Sequence, residues 1–474
     1  MRKHKSLGVY RAIVPGLICV VLFIAGCTHM PAYVNKPAGS FVDNAGYRYE
    51  NLEGGTNSES LLVVLAFSGG GTRAAALSYG VLEQLARDRI VVEGNRKRVL
   101  DEVDVISSVS GGSFTAAYYA LFGDRIFDDF ESRFLNRNIQ AALLWRIACR
   151  PDNWIRLALP WYSRSDLAAQ YYDRSLFDRN SYSNLLVSNH RPYLVINATD
   201  MALGSRFEFT QPQFDLLGSD LGSLPVARAV AASSAFPGLL TPITVRDYPS
   251  GPDYRHPDWL DTAMEDREIN LRRYKEAVVM QSYLDKNNRP FIHLVDGGVS
   301  DNLGLRGTLR SLESTDGDWS LRRDIQTRKV KTVVVITVNA RTDPEVEWNR
   351  HQSAPGPLKV LTSSGGAPMA SYSFETAERI KEDFHKWQQD GGLYNKLRGY
   401  DPNKYAPSPF HEVKFYPIEV SFNGITNSNE RAYFNNIGTS FSLSATEVQR
   451  LRDIAASLLS RSQEYKRLLQ DYAR

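Results

Sequence analysis

The sequence predicts an α/β protein centred on a buried, mostly parallel β-sheet. Two observations lead there. Apolar runs of strand length recur at 61–67 (LLVVLAF), 103–110 (VDVISSVS), 193–200 (YLVINATD), 291–296 (FIHLVD) and 331–339 (KTVVVITVN). Runs this continuous belong to strands covered on both faces. Each is followed by a helical or polar segment, the alternation of strands joined by crossovers. The chain has no internal repeat and no low-complexity tract.

The N-terminus has a different character. Arg2, Lys3, Lys5 and Arg11 precede the apolar stretch AIVPGLICVVLFIAGC. A basic n-region, an apolar h-region and small residues before a cysteine make a secretory signal. The ending IAGC resembles a bacterial lipobox, in which Cys27 is lipidated and becomes the mature N-terminus. The run is short for a span and carries Pro15 and Gly16, which argues against a retained anchor. The expectation is a signal peptide over 1–26 and a lipid anchor at Cys27 in a bacterial envelope membrane. Thr28, not Asp, follows the cysteine, which fits the outer membrane, facing the periplasm.

The formal net charge of +3 is a targeting property, because losing the four basic residues of the signal brings the chain close to neutral. There is no long basic block, so nucleic acid is not an expected partner. The cysteines are Cys19, Cys27 and Cys149, too few for a disulfide framework or a metal cluster. Cys149, in RIACRPDNW, reads as a buried small apolar residue.

Residues 27–59 are rich in Asn, Gly, Ser and Pro with no apolar period, and read as a flexible tether. Residues 245–290 are polar and charged, as in a surface insertion. In 138–164, Trp145, Trp154 and Trp161 alternate with Arg146, Arg150 and Arg156. That mixture suits a bilayer interface. A helical cap over the active site is the preferred reading, because Trp packs more often than it faces lipid.

Beyond residue 345 the pattern changes. YSFETAERIKEDFHKWQ reads as a helix and HEVKFYPIEVSF as a strand. The closing helix starts at a capping box, Ser444 with Glu447. Val448, Leu451, Ile454, Leu458 and Leu459 follow at helical spacing, as a core stripe. Residues 346–474 are expected to form an α+β extension packed on a catalytic domain of 60–345.

The chemistry lies at the strand ends. After 61–67 comes SGGGTRAAA, then a helical pattern. Gly69, Gly71 and Ala74 satisfy the dinucleotide fingerprint, with Glu93 at a suitable distance for a ribose hydroxyl. The same bare turn also suits an oxyanion formed in acyl transfer. Strand 103–106 leads to Ser110, Gly111 and Gly112 and into SFTAAYYAL, a strand–turn–helix with the form of a nucleophile elbow. Its usual first glycine is Ser108 here. A helix N-cap is the plainer reading of a lone Ser-Gly. Asp296 ends an apolar strand before Gly297 and Gly298, at what is expected to be the C-terminal edge of a parallel sheet.

Together these segments resemble the patatin-like phospholipase family. SGGGTRAAA is similar to its oxyanion-hole motif, with Gly69, Gly70 and Gly71 as donors and Arg73 as the basic residue. SVSGG is similar to its nucleophile motif and VDGG to its Asp-Gly-Gly motif. AVAASSAFPGLLTPI (229–243) and RSDLAAQYYDRSLF (164–177) also resemble family blocks. Ser108, and Ser68 where many members have Asp, depart from the pattern.

The resemblance implies a three-layer α/β/α fold and acyl-ester hydrolysis by a Ser110–Asp296 dyad. The N–H of Gly111 would join the oxyanion hole. The substrate would be a phospholipid or another acyl-ester lipid, with no metal or cofactor. A non-catalytic lipid-binding protein on the same fold is the alternative, and a dinucleotide-binding oxidoreductase the weaker one. No histidine is expected in the catalytic unit. His351, His385 and His411 follow no recognisable sheet end, and strand alternation turns His293 away from Asp296.

Overall fold

The structure is a computed structural model. It describes residues 33–473 except 160, 238–239, 317–318, 328–329, 344–351, 355, 399–409 and 411. The signal segment 1–26, Cys27, His351 and His411 lie outside the described residues.

The strands of the central sheet are β1 (Leu61–Phe67), β2 (Val103–Val109), β3 (Tyr193–Asp200), β4 (Ser205–Glu208), β5 (Ile243–Arg246), β6 (Phe291–Asp296), β7 (Thr332–Asn339) and β8 (Lys414–Ser421), and the segments Arg89–Val92 and Asn95–Arg98 form a separate antiparallel pair. They form one eight-stranded sheet in the order β8–β7–β1–β2–β3–β6–β5, with β4 also paired to β3. The run β8–β7–β1–β2–β3 is parallel throughout. β1, β2, β3 and β7 are buried along their whole length, which is why they are apolar without alternation.

The helices used below are α1 (Gly71–Arg87), α2 (Gly111–Phe122), α3 (Ile139–Ala148), α4 (Pro151–Ala158), α5 (Arg164–Ser175), α6 (Val226–Ser233), α7 (Pro357–Arg398) and α8 (Ala445–Arg461). The architecture is three-layered α/β/α. α1 packs against α2 and α8, while α7 lies on β8 and the helix 305–313. The α1–α8 contact is close enough that a Cβ on Gly80 would stand 2.6 Å from the Arg452 carbonyl oxygen. The α8 capping box forms, with Ser444 N–H donating to Glu447 Oε2 at 2.8 Å and Glu447 N–H to Ser444 Oγ at 3.2 Å. Its predicted stripe is buried. Each such Leu or Val contributes about 1.5–3 kcal/mol.

Three features differ from the sequence reading. First, β6 runs antiparallel to β3 and β5, so Asp296 does not end a parallel strand. It reaches Ser110 because β6 overlaps only the last three residues of β3. Asp296 faces Ala198, and the neighbouring Asn197 faces Val109 at the end of β2. An apolar run carries no mark of direction, which is why the sequence missed this.

Second, the segment expected as a tether is a packed strap from Asn35 onward. Asn35 Nδ2 donates to Ser219 Oγ at 2.7 Å, Arg48 pairs with Asp215, and Tyr47, Tyr49 and Leu52 are buried. Tyr47 stacks on Tyr193 of β3 and its hydroxyl accepts from Leu194 N–H at 2.7 Å. These apolar residues follow neither a helix nor a strand period, so the composition hides them.

Third, the chain beyond 345 supplies part of the sheet itself. β8 pairs with β7 along its full length, from Lys414–Thr332 to Ser421–Asn339. The polar segment 245–290 holds the helices 259–265 and 271–282, after β5 has closed the sheet edge.

Candidate active site

Ser110 sits between β2 and α2 with φ +50° and ψ −119°. A non-glycine residue in that region costs of order 1–3 kcal/mol and persists only where its surroundings hold it. Here they do. Ser110 N–H donates to Ser233 Oγ at 2.8 Å, and Ser233 Oγ donates in turn to the Asn197 carbonyl at 2.6 Å. Ser233 is the last residue of α6, in the 229–243 block. The same block receives the Asp296 turn, since Asp296 N–H bonds to the Ala235 carbonyl at 3.0 Å and Gly297 N–H to the Ser233 carbonyl at 3.1 Å. One short segment therefore sets both the elbow and the carboxylate.

The Ser110 hydroxyl donates to Asp296 Oδ2 at 2.8 Å. Asp296 Oδ1 accepts from Gly298 N–H, also at 2.8 Å. The carboxyl is buried, and desolvation raises its pKa from 3.8 to about 6 against the lowering effect of the Gly298 and Ser110 bonds. A carboxylate with that pKa can accept a hydroxyl proton near neutral pH and hold it briefly. Thr199 Oγ1 donates to the Asp296 carbonyl at 2.9 Å and fixes the strand end.

The glycine turn is divided in use. Gly69 N–H is committed to the Asn302 carbonyl at 3.0 Å, so Gly69 is not a free donor, contrary to its expected role. Gly70 is the N-cap of α1, and Gly71 and Gly111 open α1 and α2. Their N–H groups have no acceptor within their own helices. The two helix starts touch, for a Cβ on Gly111 would stand 2.0 Å from the Gly71 carbonyl oxygen.

Arg73 flanks the turn, with Nη2 3.2 Å from where a Cβ on Gly70 would stand, but its donors are committed elsewhere. Its Nε donates to the Ala340 carbonyl at 2.9 Å, Nη1 to the Ile437 carbonyl and Nη2 to Thr439 Oγ1 at 3.1 Å. Burial lowers its pKa to about 10. It clamps the C-terminal chain to α1. The departure at Ser108 is conformationally neutral, because Ser108 lies in β2 at negative φ, with its hydroxyl bonded to the Val195 carbonyl at 3.3 Å. Ser68 Oγ accepts from Ala340 N–H at 2.8 Å and has a local structural task.

Asn302 was missed in the sequence. It flanks Ser110, because a Cβ on Gly69 would meet Asn302 Oδ1 at 2.5 Å and Ser110 Cβ at 3.3 Å. Its place six residues after Asp296 was the available signal. His293 is bonded through Nδ1 to Thr244 Oγ1 at 3.0 Å, and His385 through Nδ1 to the Lys381 carbonyl at 3.1 Å. Neither partner is Ser110 or Asp296.

Glu93 accepts from Ser60 N–H at 3.1 Å, at the opposite end of β1 from the glycine turn. A seven-residue strand at ~3.3 Å per residue leaves roughly 20 Å between them. No single ribose bridges that distance to a pyrophosphate at the turn, so the dinucleotide reading fails. An apolar cavity of about 450 Å³, lined in part by Leu240, Pro242, Val295 and Val299, adjoins the Asp296 turn.

The fold agrees with the family that the chain matches. The patatin-like phospholipase family model matches residues 65–309, just over half of the chain. The chain belongs to the patatin-like phospholipase family, whose members act on lipid esters. No curated protein sequence matches it. Among solved structures it is similar to human GIVD cytosolic phospholipase A2, with 11% identity over 88% of this chain and 60% of that one and a TM-score of 0.36. The same human protein in complex with methyl gamma-linolenyl fluorophosphonate gives 13% identity over 87% and 60%, with a TM-score of 0.38. VipD from Legionella pneumophila gives 12% identity over 84% and 67%, with a TM-score of 0.28. The chain thus spans 60% of the length of the human protein.

Proposed function

We propose that the protein is a serine acyl-ester hydrolase of phospholipase or lysophospholipase A type, with Ser110 as nucleophile and Asp296 as general base. One observation carries the reading: the 2.8 Å bond from a strained, immobilised serine hydroxyl to a buried carboxylate of raised pKa. Ser110 Oγ attacks the ester carbonyl while its proton passes to Asp296. The oxyanion is received by the N–H groups of Gly70, Gly71 and Gly111. Asp296 returns the proton to the departing alcohol, leaving an acyl-serine. Water, deprotonated by Asp296, then releases the fatty acid and restores Ser110. Only hydroxyl, carboxylate and backbone groups take part.

The cavity of about 450 Å³ beside Asp296 is of ordinary ligand size and apolar, and supports an acyl chain as its occupant. Lipidation at Cys27, with residence at a bacterial outer membrane facing the periplasm, completes the proposal. It rests on the basic n-region and IAGC. A fluorophosphonate probe tests the chemistry. It should label the wild-type protein and leave Ser110→Ala unlabelled. Labelling that survives Ser110→Ala, or a wild type that neither labels nor turns over a nitrophenyl ester, would overturn the reading.

A further inference from the structure

We propose that the α3–α4 hairpin is a docking face that seats in the interface of an anionic phospholipid bilayer. Amphipathic helices on a protein surface turn their apolar stripe inward. Here the stripe is turned outward. On α3 the exposed positions Ala141, Leu144, Trp145 and Ala148 recur at i, i+3, i+4 and i+7. On α4 the exposed positions Pro151, Trp154, Ile155 and Ala158 repeat the spacing. Trp145 is 55% exposed, Trp154 48% and Trp161 51%. A cap packed over the active site would have buried them.

Arg146, Arg156 and Asn153 turn toward the body of the protein, while Arg150 and Asp152 pair at the exposed turn. The Arg146 guanidinium lies over the Tyr171 ring at 4.3 Å and that of Arg156 over Tyr162 at 3.9 Å. Buried Asn153 donates to the Arg146 carbonyl at 3.0 Å. The Trp154 indole N–H is satisfied inside the hairpin by the Ile147 carbonyl at 2.6 Å, so its ring can meet an apolar phase without stranding a donor.

Length and charge select the occupant. α3 has 10 residues and α4 has 8, far short of a span. No described helix is long and apolar enough to cross a membrane. Short helices of this kind lie in the interfacial plane. Residues 137–164 hold Arg137, Arg146, Arg150, Arg156 and Arg164 against the single Asp152. That net positive charge complements anionic lipid and repels a second copy of itself.

The hairpin is also well placed. Past Trp161 the chain enters α5, whose first residue Arg164 lines the cavity beside Asp296, as do exposed Met201 and Val299. At the other end, Ile139 N–H donates to the Phe441 carbonyl at 3.0 Å.

The test uses the exposed Cys149 at the turn between the two helices. In the full chain carrying Cys19→Ser and Cys27→Ser it is the single thiol, and it takes an NBD fluorophore. Vesicles of phosphatidylethanolamine with one quarter phosphatidylglycerol should shift its emission to the blue, and bilayer nitroxides should quench it. Phosphatidylcholine vesicles should do so more weakly. Changing Trp145, Trp154 and Ile155 to Ser should reduce partition about tenfold and leave turnover of a soluble short-chain ester unchanged. Emission that stays unshifted while the chain sediments with vesicles would overturn the proposal. So would a blue shift that needs no vesicles and grows with protein concentration, the mark of self-association. The fluorescence does not depend on turnover, so a failed hydrolase reading and a failed docking face give different results.

Discussion

Asp296→Asn should inactivate the protein and stabilise it, and the stabilisation should depend on pH in a defined direction. Asparagine keeps the shape, can accept from Gly298 N–H and can donate to Ser110 Oγ, but it does not titrate. In the wild type, burial raises the carboxyl from 3.8 to about 6. A raised folded-state pKa means that the protonated form carries the stability. It is fully present below the unfolded value and is lost as pH rises through about 6. At 1.36 kcal/mol per unit the loss is of order 3 kcal/mol. Urea unfolding of both proteins at pH 4 and pH 8 measures it. The advantage of Asp296→Asn over wild type should grow by about 2–3 kcal/mol between those values. Asp104 and Asp247, which burial also raises, to about 7 and about 6, are common to both proteins and cancel in the difference. Wild-type kcat/KM on a soluble ester should rise with pH across the same window, as the base ionises. A stability gap that is flat with pH would refute the buried-base argument, whatever the activity.

Ser233→Ala strands the Ser110 N–H and should cost about 1–3 kcal/mol of stability. It should also lower kcat about 10²-fold with little change in KM, read from steady-state kinetics on a short-chain ester. Gly71→Ala places a Cβ 2.3 Å from the Ser440 carbonyl oxygen at φ +61°, so a loss of at least ~2 kcal/mol in thermal unfolding and collapse of turnover are expected. Arg73→Met should destabilise by about 3 kcal/mol, because it leaves the carbonyls of Ala340 and Ile437 without their donor. A residue that bound the oxyanion would instead lose activity with stability intact. His293→Ala should keep most of the turnover that Ser110→Ala abolishes, and a folded but inactive His293→Ala would overturn the dyad.

The parts of the fold legible in the sequence are those whose physics is local. The β1 and β3 boundaries coincide with their apolar runs because burial on the sheet demands that composition. The α8 cap was legible because a capping box joins two residues only three positions apart. The reversed direction of β6 was hidden, because direction depends on partners a hundred residues away. Arg73 shows the same limit. Beside three glycines it looked like part of an anion site, yet its partners are at Ala340, Ile437 and Thr439. Cys149, expected inside, is exposed, because the hairpin that carries it is turned with its apolar side out. Ser233 could be seen in a motif but not understood, since its function is to join β3 to the elbow.

These non-local contacts meet at one loop. The Ser440 carbonyl accepts from Thr72 N–H at 2.9 Å, and its backbone is the surface against which Gly71 must be glycine. Thr439 and Ile437 take two arms of Arg73. Phe441 accepts from Ile139 at the base of the hairpin, and its ring lies 5.6 Å from that of Phe114 in the helix that follows Ser110. Residues 437–441 are therefore a wall of the glycine turn, although the patatin-like match ends at 309. The glycine turn alone cannot hold its N–H groups in position, because two of its residues sit at positive φ, where glycine has the most freedom to lose. Rigidity must come from what packs on it. On one side that is Asn302 and on the other Ser440, contributed by β8's own continuation after it has joined the sheet edge. A chain cut at the end of the motif-bearing region would retain Ser110 and Asp296 and lose the packing that holds the N–H groups of the turn in the place the proposed oxyanion needs.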